Sequence, residues 1–499
     1  MTACSFGTCH KIAGCDTKPV SWLTRGPAAA SIAPRDLPRQ IPVPVPDQNS
    51  LSSVLACPRC GRGPVASQSA GWICSNCSSG YPVIGGIPWL FPEPRQSLAE
   101  WRGRFSLLSQ YLGAEAAAMR AAAREPSVPA TRKRLEHQAA AHEDQVARLA
   151  VLLAPLGLDQ TGISEPTHRG LGTRLPTEQG LTNYYVNLHR DWAWGAEENA
   201  AALQEIAAVL GGSAHGLGRT LVHGAGAGRL AYDLHQAGDA PLTVATDFNP
   251  LLLAVAQAMF AGRELSLYEF PIAPRRLEDH AVLRRLTSPG PARAGLELVA
   301  ADALQPPFAD GTFDTVVTHW FIDIVGEPFA RVAARVNLAL KPGGRWINSG
   351  SLSFSRAAHG DRVGLAEALE LLPQAGFGEA RVRETTLPYM RSPASRHSRL
   401  ENVVTWVTNK SGPPAVVPRA RALPEWLLHA DRPVPRTRAF EMQVISSRVH
   451  AFLLAMINGE RSMQDMARLL VEQRLMNAGE AEDQVRIFLT RLHEETETQ

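Results

Sequence analysis

The chain has 499 residues, 45% of them hydrophobic and 20% charged, enough for roughly two to four domains. Fifty Lys and Arg residues almost balance forty-eight Asp and Glu residues, so the net charge indicates neither a nucleic-acid surface nor a membrane surface. The longest apolar run, residues 251–261, is too short for a spanning helix. No apolar stretch of a secretory signal occurs in residues 1–20. We expect a soluble, cytoplasmic protein.

Cysteine usage predicts a metal site near the N-terminus. All seven cysteines lie within the first 77 residues, at Cys4, Cys9, Cys15, Cys57, Cys60, Cys74 and Cys77. The last four form two Cys-x-x-Cys pairs separated by thirteen residues, a spacing that suits one tetrahedral zinc. Four thiolates fill the zinc coordination shell, so the metal is expected to be structural. The alternative is four unrelated thiols.

Changes in composition predict six regions along the chain. We expect a Pro-rich arm (1–50), a zinc ribbon (51–96), a helical segment (97–165), an α/β domain (166–410), a Pro-rich linker (411–434) and a small α-rich domain (435–499).

The end of the cysteine unit carries a family resemblance. Residues 81–90 read Y-P-V-I-G-G-I-P-W-L, which resembles the zinc-ribbon family that includes the small activator subunits of tRNA and protein-release-factor methyltransferases. The resemblance implies a structural module that packs against a methyltransferase, here within the same chain.

A nucleotide site is predicted after the first strand of the α/β domain. Residues 220–223 form an apolar strand that leads into Gly224, Gly226 and Gly228, where a glycine turn lets the backbone approach a ligand closely. The G-x-G-x-G spacing differs from the G-x-G-x-x-G of dinucleotide sites. Asp247 ends the next strand and suits a ribose diol. Asp302, followed by Ala303, ends the third and suits an adenine amino group.

Two further strands follow, residues 313–318 and a strand that begins after the Pro-Gly-Gly turn at 342–344. The order of these pieces resembles class I S-adenosylmethionine-dependent methyltransferases. That resemblance implies a Rossmann-like α/β sheet and S-adenosylmethionine as the cofactor. A nicotinamide-binding domain is the alternative, but we find no residues arranged for hydride transfer.

Four short motifs sharpen the resemblance. They are R-D-W at 190–192, Y-E-F-P at 268–271, F-I-D at 321–323 and W-I-N-S-G-S-L at 346–352. They are similar to the carnosine N-methyltransferase family, over roughly residues 180–410. Members of that family methylate a histidine-containing dipeptide on its imidazole ring.

The family resemblance implies roles for individual residues. Asn187 and Arg190 are expected to contact the amino-acid end of the cofactor, and Asp323 to anchor the substrate. Tyr389, with Arg391, stands where the family has substrate-binding tyrosines. The family closes its fifth-strand motif with a substrate-contacting histidine, whereas this chain has Ser355. We therefore expect carnosine to be methylated poorly.

Methyl transfer from a sulfonium needs an unprotonated nucleophile aligned behind the methyl group. An imidazole nitrogen meets this need near pH 7. Asp323 can accept the opposite N–H and stabilise the cation that forms, or bind a substrate ammonium. Alternatively, Asp323 caps a helix. His319 and Trp320 either line the pocket or belong to the core.

The C-terminal region shows apolar stripes at helical spacing. Phe440, Val444, Ile445, Val449, Phe452 and Met456 form the first stripe, and Ser462 is a predicted N-cap with Asp465 three residues later. The pattern resembles PqqD-like winged-helix modules that bind peptides, which implies a peptide or protein partner. A packing domain is the alternative.

Two functions of different classes remain open at this point. The first is an enzyme that methylates a nitrogen, expected to be an imidazole nitrogen, of a small histidine-derived molecule or a peptide. The second is a scaffold in which a degenerate methyltransferase fold assembles partners. Methylation of RNA or protein is a further alternative, but the chain has no basic patch with interleaved aromatic residues and no N-P-P-Y tetrad.

Overall fold

The computed structural model describes residues 51–497, apart from 62, 69–70, 125–127, 158–183, 355–357, 417–425 and 427–430. The predicted arm with its three cysteines, and Ser355, lie outside the described residues.

The cysteine unit folds into a four-stranded antiparallel sheet in the order of the chain. Its strands are β1 (Val65–Gln68), β2 (Gly71–Cys74), β3 (Gly80–Ile84) and β4 (Ile87–Pro88). Each pair of cysteines lies at a turn, one before β1 and one that starts with the last residue of β2. The short hairpin therefore brings two distant stretches of sequence together.

Seven strands form the central sheet, in the order β12-β13-β11-β10-β5-β6-β9. They are β5 (Thr220–His223), β6 (Thr243–Asp247), β9 (Leu296–Ala300), β10 (Phe313–His319), β11 (Leu340–Gly350), β12 (Arg381–Tyr389) and β13 (Arg399–Asn409). Neighbours from β11 to β9 run parallel, whereas β13 is antiparallel to both β11 and β12. In β5, β6, β9 and β10 most side chains are buried, as expected for parallel strands that are covered on both faces. The predicted Rossmann-like class is confirmed.

A separate antiparallel hairpin, β7 (Leu265–Glu269) and β8 (Val282–Leu286), lies in the insertion before β9. The helices before and within the sheet are α1 (Pro94–Ala122), α2 (Pro129–Leu153), α3 (Tyr185–His189), α4 (Ala196–Val209), α5 (Arg229–Ala237), α6 (Pro250–Phe260), α7 (Phe329–Ala339) and α8 (Leu365–Leu371). Proline begins α1, α2 and α6, positions where its missing N–H costs nothing. A π-helical turn, Arg190–Trp194, joins α3 to α4.

Helix α2 holds α3 in position through hydrogen bonds. Gln145 of α2 donates to the Tyr185 hydroxyl at 2.7 Å, and that hydroxyl donates to the Tyr268 carbonyl oxygen at 2.7 Å. The Tyr268 N–H in turn donates to the Gln145 side chain at 3.0 Å. One of these three bonds is buried and two are partly buried, and hydrogen bonds shielded from water hold neighbouring elements in one arrangement. It sets the direction in which α3 runs toward the sheet.

The ribbon and the central sheet share one core. The Leu90 N–H donates to the Ala300 carbonyl oxygen at 2.8 Å, and the Ala56 N–H donates to the Pro307 carbonyl oxygen at 2.9 Å. Trp89 forms a parallel bridge with Ala300. Buried apolar side chains from both units make a single cluster. The ribbon therefore covers the edge that β9 would otherwise expose.

The C-terminal region contains α9 (Arg438–Ala455), α10 (Met463–Glu472) and α11 (Ala478–Glu497). They enclose a small core of their own, which includes Met456, Leu470 and Val485. Ser462 and Asp465 exchange the bonds of a capping box, as predicted. No strand occurs among the residues described after β13, so a wing is not seen there.

The predicted apolar face of the first C-terminal helix is only partly buried. Phe440 and Val444 are 43% and 55% exposed, whereas Met456 is buried. Met456, which directly follows α9, lies in the core that the three helices share, whereas the beginning of the stripe is exposed. Across the described part of the chain, no helix is long and apolar enough to cross a membrane.

Candidate active site

A cavity of about 550 Å³ opens at the carboxyl ends of the parallel strands, the edge where open α/β sheets bind ligands. It brings together most of the residues singled out from the sequence. Its walls include Asn187, Arg190, Gly224, Gly226, Asp247, Ala303, His319, Trp320, Asp323 and Tyr389. Residues separated by about 200 positions in the chain therefore line one space.

The glycine turn after β5 forms the floor of the cavity. Gly224 and Gly226 have φ of +60° and +57°, conformations that glycine adopts without strain. A Cβ at Gly224 would lie 2.3 Å from a ring carbon of Phe321, whereas nothing lies within 4 Å of one at Gly226. Gly228 does not line the cavity. A Cβ there would meet Phe260 at 2.7 Å, so this glycine serves the packing of α5 on α6.

Asp247 is held in place by the backbone at the end of β6. Its Oδ2 accepts from the Gly226 N–H at 3.0 Å and its Oδ1 from the Asn249 N–H at 2.8 Å. The side chain is 8% exposed, and burial raises the pKa of the carboxyl. A carboxylate fixed by two N–H donors presents its remaining lone pairs in defined directions.

Asp302 lies beside the cavity and is not part of its wall, although Ala301 and Ala303 on either side are. Its Oδ1 accepts from the Leu304 N–H at 2.9 Å. In this arrangement the carboxylate stabilises the turn after β9. A contact between Asp302 and an adenine amino group stays a prediction.

The π-helical turn presents Arg190 to the cavity. The Nε and Nη2 atoms of Arg190 donate to Asp191 Oδ1 at 2.9 and 2.7 Å, and both side chains are nearly buried. Asn199 donates to both backbone carbonyl oxygens of this pair. A π-helical turn inserts an extra residue into an α-helix, and such insertions are frequently found at functional sites. The turn therefore fixes a charged pair beside Asn187.

Asp323 occupies the other end of the cavity. Its Oδ2 accepts from the Ser351 hydroxyl and, at 3.2 Å, from the Ser353 N–H. Asp323 is 7% exposed. Its pKa is raised, chiefly by burial and to a smaller extent by the negative charge of Glu401. It caps no helix, because α7 begins at Phe329 with Pro328 as its N-cap.

A strained backbone position and a half-buried histidine precede Asp323 in the chain. Trp320 has φ of +50°, a backbone conformation that is energetically costly for a residue with a Cβ. Residues in such strained conformations cluster at functional sites. Gly350 permits the close approach, since a Cβ there would lie 3.0 Å from the Trp320 nitrogen. The Nδ1 of His319 has no hydrogen-bond partner among the described residues. Burial and the nearby Arg190 lower the pKa of His319 to about 3.

Tyr389 forms the aromatic wall between the two ends. Its ring centre lies 4.6 Å from that of Trp320 and 5.4 Å from the guanidinium carbon of Arg190. Glu198 of α4 holds the end of β12 by accepting from the Met390 and Arg391 N–H groups at 3.0 and 2.9 Å. Arg391 itself is exposed and lies outside the cavity wall.

Sequence reasoning missed several polar residues of the cavity. They are Asp191, Asn199, Arg229, Asp233, Ser351, Ser353, Arg399 and Glu401. Arg399 and Glu401 lie at the start of β13, where their charged side chains disfavour the prediction of a strand. Arg399 and Glu401 are two residues apart, and residues with this spacing on a strand share a face. This spacing could have predicted that the two side chains lie together.

The four cysteines of the ribbon come together as a second candidate site. Their Sγ atoms all lie within 4.8 Å of one another, with Cys57–Cys77 at 3.6 Å and Cys60–Cys74 at 3.7 Å. A tetrahedral zinc with Zn–S bonds of about 2.3 Å requires sulfur–sulfur distances of about 3.8 Å. The four are free thiols. The arrangement therefore fits the metal.

The strand order, the glycine turn after β5 and the acidic residue that ends β6 define the class of protein. The chain is an S-adenosylmethionine-dependent methyltransferase with a class I, Rossmann-like fold.

Residues 179–411, just under half of the chain, match the model of a family described as carnosine N-methyltransferase. This segment is similar to that family, as the four sequence motifs implied. No curated protein sequence matches the chain.

Several solved structures are similar to it. One, described as a possible histamine N-methyltransferase from Thermotoga maritima, is 16% identical, with 46% of this chain and 93% of that one covered and a TM-score of 0.28. The N-methyltransferase NodS from Bradyrhizobium japonicum is 15% identical, with 46% and 100% covered and a TM-score of 0.30. A Haemonchus contortus phosphoethanolamine-type N-methyltransferase is 18% identical, with 43% and 48% covered and a TM-score of 0.29.

Proposed function

We propose that the protein transfers a methyl group from S-adenosylmethionine to an imidazole nitrogen of a small histidine-derived molecule or peptide. The observation that carries the proposal is Asp323, a buried carboxylate on the cavity wall. Among the described residues, no ion pair involves Asp323. A carboxylate without a cation partner favours an N–H donor or a positive charge beside it.

Different residues of the chain bind different parts of the cofactor. Asp247 accepts hydrogen bonds from the ribose hydroxyls, the turn at Gly224 and Gly226 admits the ligand backbone, and Asn187 and Arg190 hold the amino-acid end of the cofactor. When bound, S-adenosylmethionine supplies an electrophilic methyl group on a sulfonium. The residues around it have little covalent work to do beyond alignment.

Asp323 orients the acceptor. Its carboxylate accepts the N–H of one imidazole nitrogen, so the other nitrogen is unprotonated and turned toward the methyl group. As that nitrogen forms its new bond, positive charge develops on the ring, and the carboxylate stabilises it. Ser351 and Ser353 fix the carboxylate through Oδ2. Tyr389 and Trp320 pack against the planar ring.

We also propose that Cys57, Cys60, Cys74 and Cys77 bind one structural zinc ion. The sulfur distances support a closed tetrahedral site with no place for a substrate. Because the ribbon bonds to residues 300 and 307 on either side of Ala301 and Ala303, the metal would brace one wall of the cavity.

The proposal is tested by measuring S-adenosylhomocysteine formed by the purified protein with matched acceptors. Histidine, histidine-containing peptides and carnosine are compared with the corresponding compounds in which a phenyl ring replaces the imidazole. We expect turnover with at least one imidazole acceptor, none with its phenyl analogue, and a low rate with carnosine because of Ser355. Turnover that is equal for both rings would refute imidazole methylation. Mass spectrometry of acceptors labelled in a cell extract identifies the natural one.

A further inference from the structure

An ion pair at the acceptor end of the cavity has no part in the chemistry described so far. Arg399 and Glu401 both line the wall from β13. Arg399 Nε lies 2.7 Å from Glu401 Oε1, and the side chains are 55% and 24% exposed. A partly exposed pair of this kind contributes little to the stability of a protein. A ligand can therefore separate the two charges at small cost.

The pair stands on the aromatic wall, next to the site proposed for the imidazole. The guanidinium carbon of Arg399 lies 4.8 Å from the ring centre of Tyr389, which also contacts Trp320. Arg190 lies over the same ring but is buried and doubly bonded to Asp191. Of these two arginines, Arg399 is the one with a solvent-accessible guanidinium.

Glu401 and Asp323 line the same cavity, and the negative charge of Glu401 adds to the rise in the pKa of Asp323. Two carboxylates and one accessible guanidinium thus face the acceptor end. An ammonium group there would relieve the repulsion between the carboxylates, while a carboxylate group would match the fork of Arg399.

We propose that Arg399 and Glu401 bind the amino-acid part of the acceptor, Arg399 through a carboxylate and Glu401 through an ammonium group. A zwitterion gives each side chain a new partner in place of the one it loses. An imidazole amine without a carboxylate gives Glu401 a partner but gives Arg399 none, so it gains one charge-assisted hydrogen bond fewer than a zwitterion does. The preferred acceptor is therefore a zwitterionic imidazole compound. The inference rests on the proposed function of the cavity.

The test compares kcat/KM for sets of acceptors that differ by one charged group. Histidine is set against histamine, which lacks the carboxylate, and imidazolepropionate, which lacks the ammonium. Carnosine is set against its decarboxylated analogue. We expect the zwitterion of a set to exceed its analogues by about tenfold or more, the value of one charge-assisted hydrogen bond.

Two variants assign the effect to residues. Arg399→Ala should lower kcat/KM about tenfold for acceptors with a carboxylate and leave histamine within about twofold. Glu401→Gln should do the same for acceptors with an ammonium group and spare imidazolepropionate. Arg383→Ala is the matched control, because Arg383 forms a similar pair with Glu205 at 3.0 Å, is 45% exposed and lies outside the cavity wall.

Each outcome separates the inference from the proposed function. If wild type methylates histamine as efficiently as histidine, or if Arg399→Ala affects both equally, the inference is wrong while imidazole methylation stands. If wild type methylates no imidazole compound, the proposed function fails and the inference fails with it. Cofactor affinity, measured on every variant, shows that the protein is folded.

Discussion

The two ends of the cavity are built in different ways. The part of the cavity proposed for the cofactor's ribose is formed by a strand, a glycine turn and a carboxylate fixed by backbone N–H groups, within about thirty consecutive residues from β5 to the start of α6. The acceptor end is formed mainly by side chains from the loops that follow β10 and β11 and from β12 and β13, which lie far apart in the chain. The first is fixed by local structure and the second by tertiary packing. We infer that binding of the cofactor and selection of the acceptor can be changed separately.

The largest expected effect is at the acceptor end. Asp323→Asn keeps the shape of the side chain and removes its charge, so kcat/KM should fall roughly a hundredfold or more because the developing cation loses its partner. Cofactor affinity should stay nearly unchanged. Turnover and calorimetric affinity are measured on one preparation. Unchanged turnover would remove Asp323 from the chemistry, and a matching loss of cofactor affinity would break the separation of the two ends.

At the cofactor end, Asp247→Ala should weaken S-adenosylmethionine binding by about 1–3 kcal/mol, roughly five- to 150-fold, since two hydroxyls lose their acceptor in a closed site. Saturating cofactor should then restore much of the turnover. Calorimetry and kcat at saturation check both statements. A variant that binds the cofactor as tightly as wild type would show that the ribose contact lies elsewhere.

We expect disruption of the zinc ribbon to weaken cofactor binding and to leave the selection of the acceptor unchanged. We expect one zinc per chain by metal analysis, and Cys57→Ser should lower the yield of soluble protein, because loss of a structural zinc unfolds its module. In the soluble fraction, cofactor affinity should fall roughly 2- to 30-fold, the size of a coupling of about 0.5–2 kcal/mol. Cys15→Ser is the control outside the four-cysteine cluster. Wild-type protein without zinc, or full affinity in Cys57→Ser, would contradict this account.

The smallest effect is expected from the C-terminal helices. Their core is separate from that of the sheet among the described residues, so a chain ending at residue 430 should keep its cofactor affinity and its kcat with a small acceptor within about twofold. A loss confined to peptide acceptors would support the predicted partner role of residues 435–499. A loss with every acceptor would show that these helices support the cavity.

Much of the cofactor end could be predicted from the sequence because its determinants are local. The glycine turn and Asp247 follow apolar strands directly, and their positions along the chain set their positions in space. Asp302 departs from this rule, since its carboxylate is taken up by the turn after β9. The acceptor end was predictable only where the family resemblance supplied Asp323 and Tyr389. Arg399 and Glu401 depend on the register of an antiparallel strand, which local patterns do not define.

The most direct test of the central claim is to find the atom that receives the methyl group. Wild-type protein is incubated with S-adenosylmethionine carrying a ¹³C-methyl group and the best acceptor of the panel, and the product is examined by NMR. We predict a methyl carbon coupled to the ring protons of the imidazole, as expected for methylation at a ring nitrogen. A methyl group on the amino nitrogen or the carboxylate of the acceptor would contradict the role proposed for Asp323.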